Sequence, residues 1–591
     1  MKPSLFYLVL PIFVGVATQN IYGAAARNPA PPPPDLSNYI LTPPAPHTPR
    51  INGPSIYGER PGNPFLYSIP ATGDRPMTFA ADGLPAGLKL DPNTGQITGT
   101  VVTAGTYPVA LTAENALGKA MRNFKIVIGD LIALTPPMGW NSWNSWAGNV
   151  DQDKVIQSAR ILVSSGLINH GWTYINIDDT WQGGRNGPDH ALQANDKFPD
   201  MPGLCNEIHQ MGLKAGIYST PWITSYASYP GGSSDDPEGA WDKATQAKGT
   251  FHHFGQYHFE AADAKEWAGW GFDYLKYDWN PNDVGHIKDM SDALRQSGRD
   301  IVFSLSNSAP FNHVGEWVNQ ANAWRTTGDI GDLWGRAPAP DYHHGIAEIG
   351  FGQDEWVPWG GPGHWNDPDM LVVGWVSVGS KIHPTRLTPD EQYTHISLWC
   401  LLSAPLLIGC EMDKLDDFTL NLLTNDEVLA VDQDALGQPA VKVSGPVFVP
   451  PPAVGGRGGP PPPSSALSFS EQVAVNDALR KLLSDADPAV RDILNQYDNY
   501  APLANVNISN NPGGNGMVYM KPLEDGSVAV GLFNVGPHPE KVTAAWSDLG
   551  LTGKHLVRDL WRQQDLGTFD NEFSSTIPAH GVVLVKIKAA P

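Results

Sequence analysis

The chain has 591 residues, too many for one ordinary domain and enough for about three or four units. Its formal charge of −23 at pH 7 repels a phosphate backbone or an anionic membrane, which argues against nucleic acid as a partner. Charged residues make up only 17%, whereas Gly (61), Pro (54) and Trp (20) are abundant, a mix suited to loop-rich domains with the aromatic-walled clefts on which sugars stack.

Met1-Lys2 is followed by an apolar run from Leu5 to Val16 and small residues from Gly23 to Ala26. The run is too short to cross a bilayer and ends in a small-x-small exit, so residues 1–26 are predicted to be a signal peptide, with export to the periplasm or beyond. No other apolar run has the length of a membrane span. Cys205, Cys400 and Cys410 allow one disulfide at most and read as buried small hydrophobes. Residues 27–50 are dense in Pro, which predicts an extended linker. Over 51–130, runs such as TYPVALTAEN and NFKIVIGD, broken by Gly and Pro, predict a small β-sandwich. The stretch GLPAGLKLDPNTGQITGTVVTAGTYPVALTAENALG resembles the immunoglobulin-like modules attached to exported bacterial enzymes, implying a spacer or binding role.

From 131 to 437 strand-like runs alternate with helix-like ones: WTYINIDD, LKAGIYS, FDYLKYD, DIVFSLS and AWRTTGD against QDKVIQSARILVSSG and HIKDMSDALRQSG. Repeated β-then-α units predict parallel strands, enough for a (β/α)8 TIM barrel with its chemistry at the strands' carboxyl ends. A doubly wound sheet is the alternative, but no glycine-rich phosphate loop follows a strand. Residues 438–500 read as an insertion: a Pro/Gly tract, expected to be disordered over Val447–Ser465, then a helix-like stretch from Phe469 to Tyr497. Alternation and a turn at Asp525-Gly526 predict a C-terminal antiparallel β-sandwich over 501–591.

The run GFDYLKYDWN ends on Asp278, as a barrel strand presenting a functional carboxylate would, although a lone strand-end Asp also serves to cap a turn. Lys276, two residues earlier on the same face, would keep Asp278 ionised as a nucleophile requires. Glycosidic cleavage needs two carboxyls, and Asp278 with Asp329 is the candidate pair. Arg325, four residues before Asp329, would depress its acidity constant where a general acid needs it raised, so Arg325 is expected to grip a sugar hydroxyl or Asp278; a structural Arg325–Asp329 ion pair is the bland alternative. Asp178-Asp179 would suit a grip on vicinal hydroxyls or, less well, a cation, but no series of oxygen ligands at loop spacing is present and no metal is expected. GGPGHWNDPDMLVVG, with Asp367 and Asp369, reads as a loop entering a strand.

Taken together, PPMGWNSWN, YINIDDTW, GIYS, DYLKYD, RTTGD, WNDPDML and AVDQDALG resemble glycoside hydrolase family 27, the retaining α-galactosidases and α-N-acetylgalactosaminidases. The resemblance covers more than half of the chain and implies a barrel followed by a β-sandwich, no cofactor and no metal. It implies Asp278 as nucleophile, Asp329 as acid/base, and Trp143, Asp178, Asp179, Tyr218, Lys276, Arg325 and Asp369 as sugar-binding residues. The partner implied is a carbohydrate with a terminal α-galactoside, and retention of both Asp178 and Asp179 implies a galacto-configured sugar over arabinopyranose. Two departures stand out. The Cys that commonly follows the nucleophile is replaced by Trp279-Asn280, and the GIYSTPW loop has no Cys. Where animal α-galactosidases carry C-E-W-P-L, this chain has Leu305-Ser306-Asn307-Ser308-Ala309; Ser306 and Ala309 are similar to the residues that admit an acetamido group, so α-N-acetylgalactosaminidase is the alternative activity. A non-catalytic galactose-binding protein and a metal-dependent barrel hydrolase are further alternatives.

Overall fold

The computed structural model describes residues 35–241, 253–336, 341–378, 381–446 and 514–590. The linker's first part, residues 242–252 and the Pro/Gly and helix-like stretches from Val447 to Tyr497 lie outside the described residues.

Eight short parallel strands form the central sheet: β1 (Met138–Asn141), β2 (Tyr174–Asn176), β3 (Lys214–Ser219), β4 (Tyr274–Asp278), β5 (Val302–Ser306), β6 (Ala323–Arg325), β7 (Trp365–Asp367) and β8 (Leu406–Ile408), with β8 beside β1 and β7 at the other edge. Backbone bonds just past β7 close it: Leu371 N–H donates to the Leu407 carbonyl at 2.8 Å, and Gly409 N–H to the Leu371 carbonyl at 3.0 Å. Helices return the chain between strands, among them Gln152–Ser164, Met201–Gln210, Glu260–Trp270, Val284–Gln296 and Pro389–Leu401. Several begin where a side chain satisfies a free N–H: Asp151 accepts from Lys154, Asp200 from Gly203 and Asp283 from His286, and Thr388 with Glu391 forms a reciprocal capping box. Alternation along β4 sends Leu275 and Tyr277 outward into the layer shared with the helices, while Tyr274 joins Val302 and Leu407 in the barrel interior. The same rule aims Lys276 and Asp278 inward.

The N-terminal sandwich pairs a four-stranded with a three-stranded sheet over a core that includes Phe65, Phe79, Ile97, Leu111 and Phe124. It covers the amino ends of the barrel strands. Ser68 donates to the Gly212 carbonyl at 2.7 Å, and Asp300 accepts from Arg60 Nη1 at 2.9 Å and Asn63 Nδ2 at 2.8 Å.

The C-terminal sandwich starts earlier than its sequence implies. Val441–Ser444, read above as part of the insertion, pairs antiparallel with Gly516–Pro522 and forms the edge of a six-stranded sheet. Between Gly516–Pro522 and Val528–Asn534 the turn places Gly526 at φ 78°, a left-handed conformation glycine adopts without penalty, and Ser527 N–H donates to Asp525 at 3.0 Å. All three cysteines are free and buried.

Candidate active site

The loops at the carboxyl ends of the strands converge around Asp278, the last residue of β4 and only 6% exposed. Neutral donors hold both of its oxygens: Tyr218 on β3 donates to Oδ2 at 3.1 Å, and Asn307, the residue after β5, donates through Nδ2 to Oδ1. Lys276 does not pair with it. Its Nζ lies 2.8 Å from Asp178 Oδ2, above the Tyr218 ring. The expectation that Lys276 keeps Asp278 ionised is therefore corrected: its direct partner is Asp178, and it acts on Asp278 only from a distance. Burial penalises the charged form most, Lys276 opposes it from a distance, Asp329 and Asp178 repel it, and the Asp278 carboxyl is pushed up to about 7.

Arg325 ends β6 and is buried, with Nη2 2.8 Å from Asp369 Oδ2 and 3.2 Å from Asp329 Oδ1. It bridges those two acids rather than gripping Asp278, so the bland ion pair is present, extended to a third residue. Its buried Nε has no partner among the described residues, which leaves one donor for a bound hydroxyl or water. Asp329 lies four residues past β6, with a side chain 41% exposed. Burial raises its carboxyl, but Arg325 and then Lys276 outweigh that and hold it below the ordinary carboxylate range, an effect that water at the cleft mouth screens.

Asp278 ends its strand, as Asp367 does β7, whereas Asp178 and Asp179 follow β2 by two and three residues. Asp178 is buried against Lys276, and Asp179 accepts from Gln182 Nε2 at 3.0 Å and Ala227 N–H at 2.9 Å, bonds that offset part of the rise burial imposes on it. WNDPDML reverses the expected order: Trp365–Asp367 is the strand and the loop follows. There Asp369 takes φ 79° and accepts from Ile330 N–H at 2.8 Å, while burial, set against Arg325, pushes Asp367 up to about 6. Half-buried Trp143 starts the turn of helix after β1 and packs against the small apolar cluster that includes Tyr274, Met370 and Leu407. Ser306 is level with Asp278 in the β4–β5 register and buried; Ala309 is buried with its N–H on the Arg325 carbonyl at 2.8 Å. Lys276, Ser306, Arg325, Asp367 and Asp369 line one pocket inside the barrel mouth.

Two residues at this site were not singled out from sequence. Asn307 and Ser308 have φ 71° and 55°, consecutive left-handed conformations that turn the Asn307 amide onto Asp278. An Asn directly after a strand facing the candidate nucleophile was the available clue, since Asn tolerates that region better than most residues. The other is Tyr226, whose hydroxyl is pushed up first by burial and then by the charges of Asp278 and Asp329.

The alpha galactosidase A family model matches residues 135–248 and 240–434, the alpha galactosidase C-terminal beta sandwich model residues 513–587, and an Ig domain model residues 48–129. Alpha-galactosidase 2 of Arabidopsis thaliana is 31% identical over 467 residues, 77% of this chain and 90% of that protein. A crystal structure from Bacteroides fragilis superposes with TM-score 0.72 at 30% identity, covering 92% of this chain and 98% of the other. Alpha-galactosidase I of Mortierella vinacea gives TM-score 0.57 at 26% identity, covering 78% and 98%. With its barrel, its sandwich and this cluster of acids, the chain belongs to the α-galactosidase (melibiase) family of glycoside hydrolases, family 27.

Proposed function

We infer that the protein removes terminal α-linked galactose from oligo- or polysaccharides by double displacement, with Asp278 as nucleophile and Asp329 as acid/base. The supporting observation is their contrast: a sequestered carboxyl held by neutral donors at the end of β4, within electrostatic reach of a half-exposed one at the cleft mouth. Asp278 attacks the anomeric carbon and forms a glycosyl ester while Asp329 gives its proton to the departing oxygen. Asp329 then takes a proton from water, whose oxygen attacks the same carbon and frees Asp278. The pair must carry one proton between them. Burial lets Asp278 hold it near neutral pH, and a bound sugar that covers Asp329 removes its water and shifts the proton towards it. Asp178, Asp179, Tyr218, Lys276, Arg325, Asp369 and Trp143 are assigned to the sugar.

Small Ser306 and Ala309 favour a second reading, cleavage of α-N-acetylgalactosaminides. Nitrophenyl α-galactoside and α-N-acetylgalactosaminide assayed side by side separate the two, with the galactoside expected to be the better substrate and Asp278→Ala inactive on both. Proton NMR of the first-formed sugar should show the α-anomer; the β-anomer appearing first would exclude double displacement. Export belongs to the same proposal and rests on the layout of residues 1–26, which N-terminal sequencing of secreted protein tests.

A further inference from the structure

We propose that Tyr226 and Tyr342 form a second subsite, outside the galactose pocket, that receives the pyranose ring of the leaving group; this rests on the glycosidase reading above. Asp278 is almost fully buried and the Asp329 side chain is 41% exposed, so the cleft opens past Asp329. An acid/base must lie against the oxygen that departs, and the leaving group therefore exits on that side.

Two exposed aromatic rings stand on loops that reach this mouth. Tyr226, 37% exposed, is on the loop after β3, and the next residue, Ala227, donates its N–H to Asp179 at 2.9 Å, which ties the loop to the pocket. Its ring meets Trp222 edge-on, with centroids 5.2 Å apart. Tyr342, 64% exposed, is on the loop after β6. Two residues on, His344 donates its N–H to the Asp329 carbonyl at 2.9 Å and accepts from Gly331 N–H at 2.7 Å, so Tyr342 is carried on a segment paired to the acid's own loop. One face of Tyr342 stacks on His343, with centroids 4.4 Å apart and planes 20° apart, and its exposure leaves the other face open. Both hydroxyls are raised first by burial, then that of Tyr226 by Asp278 and Asp329 and that of Tyr342 by Asp329 and Asp341, in keeping with loops that bring both rings to the acid's side of the cleft. Large aromatic faces left in water beside a reacting centre are what the apolar C–H face of a sugar ring covers.

The test uses the full chain, with α-galactosyl fluoride, whose leaving group has no ring, against α-galactosyl-(1→6)-glucose. For Tyr226→Ala and Tyr342→Ala, the ratio of kcat/KM for the disaccharide to that for the fluoride should fall about tenfold, and Tyr→Phe should restore it. A ratio that stays put overturns the subsite. Calorimetry on Asp278→Ala gives a readout independent of turnover: the disaccharide should bind about tenfold tighter than galactose, and Tyr226→Ala in that background should erase the difference. If the wild type cleaves neither substrate but that difference holds, the glycosidase reading falls and the subsite stands; equal binding of the two sugars removes the subsite.

Discussion

Asp273 and Asp278 sit at opposite ends of one strand, both buried, and the protein treats them in opposite ways. Asp273, immediately before β4 on the face that the N-terminal sandwich covers, accepts from His209 Nε2 at 2.8 Å, Ala215 N–H at 2.9 Å, and Arg299 Nη2 and Nε at 2.6 and 3.1 Å. Burial raises its carboxyl, His209 and Arg299 outweigh that, and it is held below the ordinary range. Among the described residues Asp278 has a phenol and an amide against its oxygens, and it is pushed up to about 7. A carboxylate that holds a fold together is neutralised by cations directly on it. The one proposed to attack carbon has its nearest cation paired to Asp178 instead, so that its electron pair is not already committed.

The largest effect that would break this contrast is on turnover. Asp278→Ala should lower kcat by at least about 10⁴-fold, since it removes the group proposed to form the glycosyl ester. The same position should repay removal of the charge. A carboxyl displaced from 3.8 to about 7 binds its proton more tightly folded than unfolded, so its penalty is absent below about pH 4, grows between 4 and 7, and is complete above. Asp278→Asn, which keeps the shape and one accepting oxygen, should stabilise the fold by up to about 4 kcal/mol at pH 8 and by nothing at pH 4. Thermal melts at the two pH values check this; equal melting shifts at both would remove the unpaired charge from the account.

Asp273→Asn should do the reverse, destabilising the fold by about 3 kcal/mol because Arg299 and His209 lose their partner. Its depressed carboxyl contributes stability above the ordinary carboxylate range, and that contribution is lost as pH falls through the lower folded value. Denaturant titration at pH 7 measures the loss, and kcat per folded molecule should keep its wild-type value.

The strands of the middle of the barrel were legible because runs such as LKAGIYS and FDYLKYD are long enough for composition and alternation to register. β1, β7 and β8, reading MGWN, WND and LLI, were not, because no longer strand-like run surrounds them as WTYINIDD and AWRTTGD surround the equally short β2 and β6, and their neighbours in the sheet make them strands. Asp278 was readable as a strand end, and the acids around it as a set. Which cation faces which acid was not: Lys276 and Arg325 each had several carboxyls in reach, and the choice of Asp178 and Asp369 follows from loop positions that no spacing encodes. The edge strand Val441–Ser444 was hidden for a related reason, since its partner begins more than seventy residues later in the chain.

Asn307 sharpens the contrast at a smaller scale. Its amide is one of two neutral donors on Asp278, held there by two consecutive left-handed residues. Asn307→Ala should lower kcat by about 30-fold, roughly the 2 kcal/mol of a hydrogen bond to a charged group. It should also raise the Asp278 carboxyl, because that bond favours the ionised form. A loss confined to KM would place Asn307 on the sugar instead.

The mildest expected change is the one that most directly tests the distant cation. In the proposed mechanism the free pair works only while it carries one proton, which it loses as pH rises through about 7, so kcat/KM should fall through a limb near 7, while kcat, which reports the sugar-bound cleft, should climb through a lower limb as Asp278 ionises and Asp329 keeps the pair's proton. Lys276 draws the Asp278 carboxyl down without touching it, its nearest oxygen being that of Asp178. In Lys276→Met that pull is gone, and the kcat/KM limb should move up by about one pH unit, the size of a single screened charge interaction near a protein surface. The shape of the profile decides the point whatever happens to its height, because loss of a sugar contact scales the whole curve and leaves the limb in place. A limb that does not move would mean that Lys276 serves Asp178 alone, and that burial together with the two neutral donors sets the charge state of Asp278.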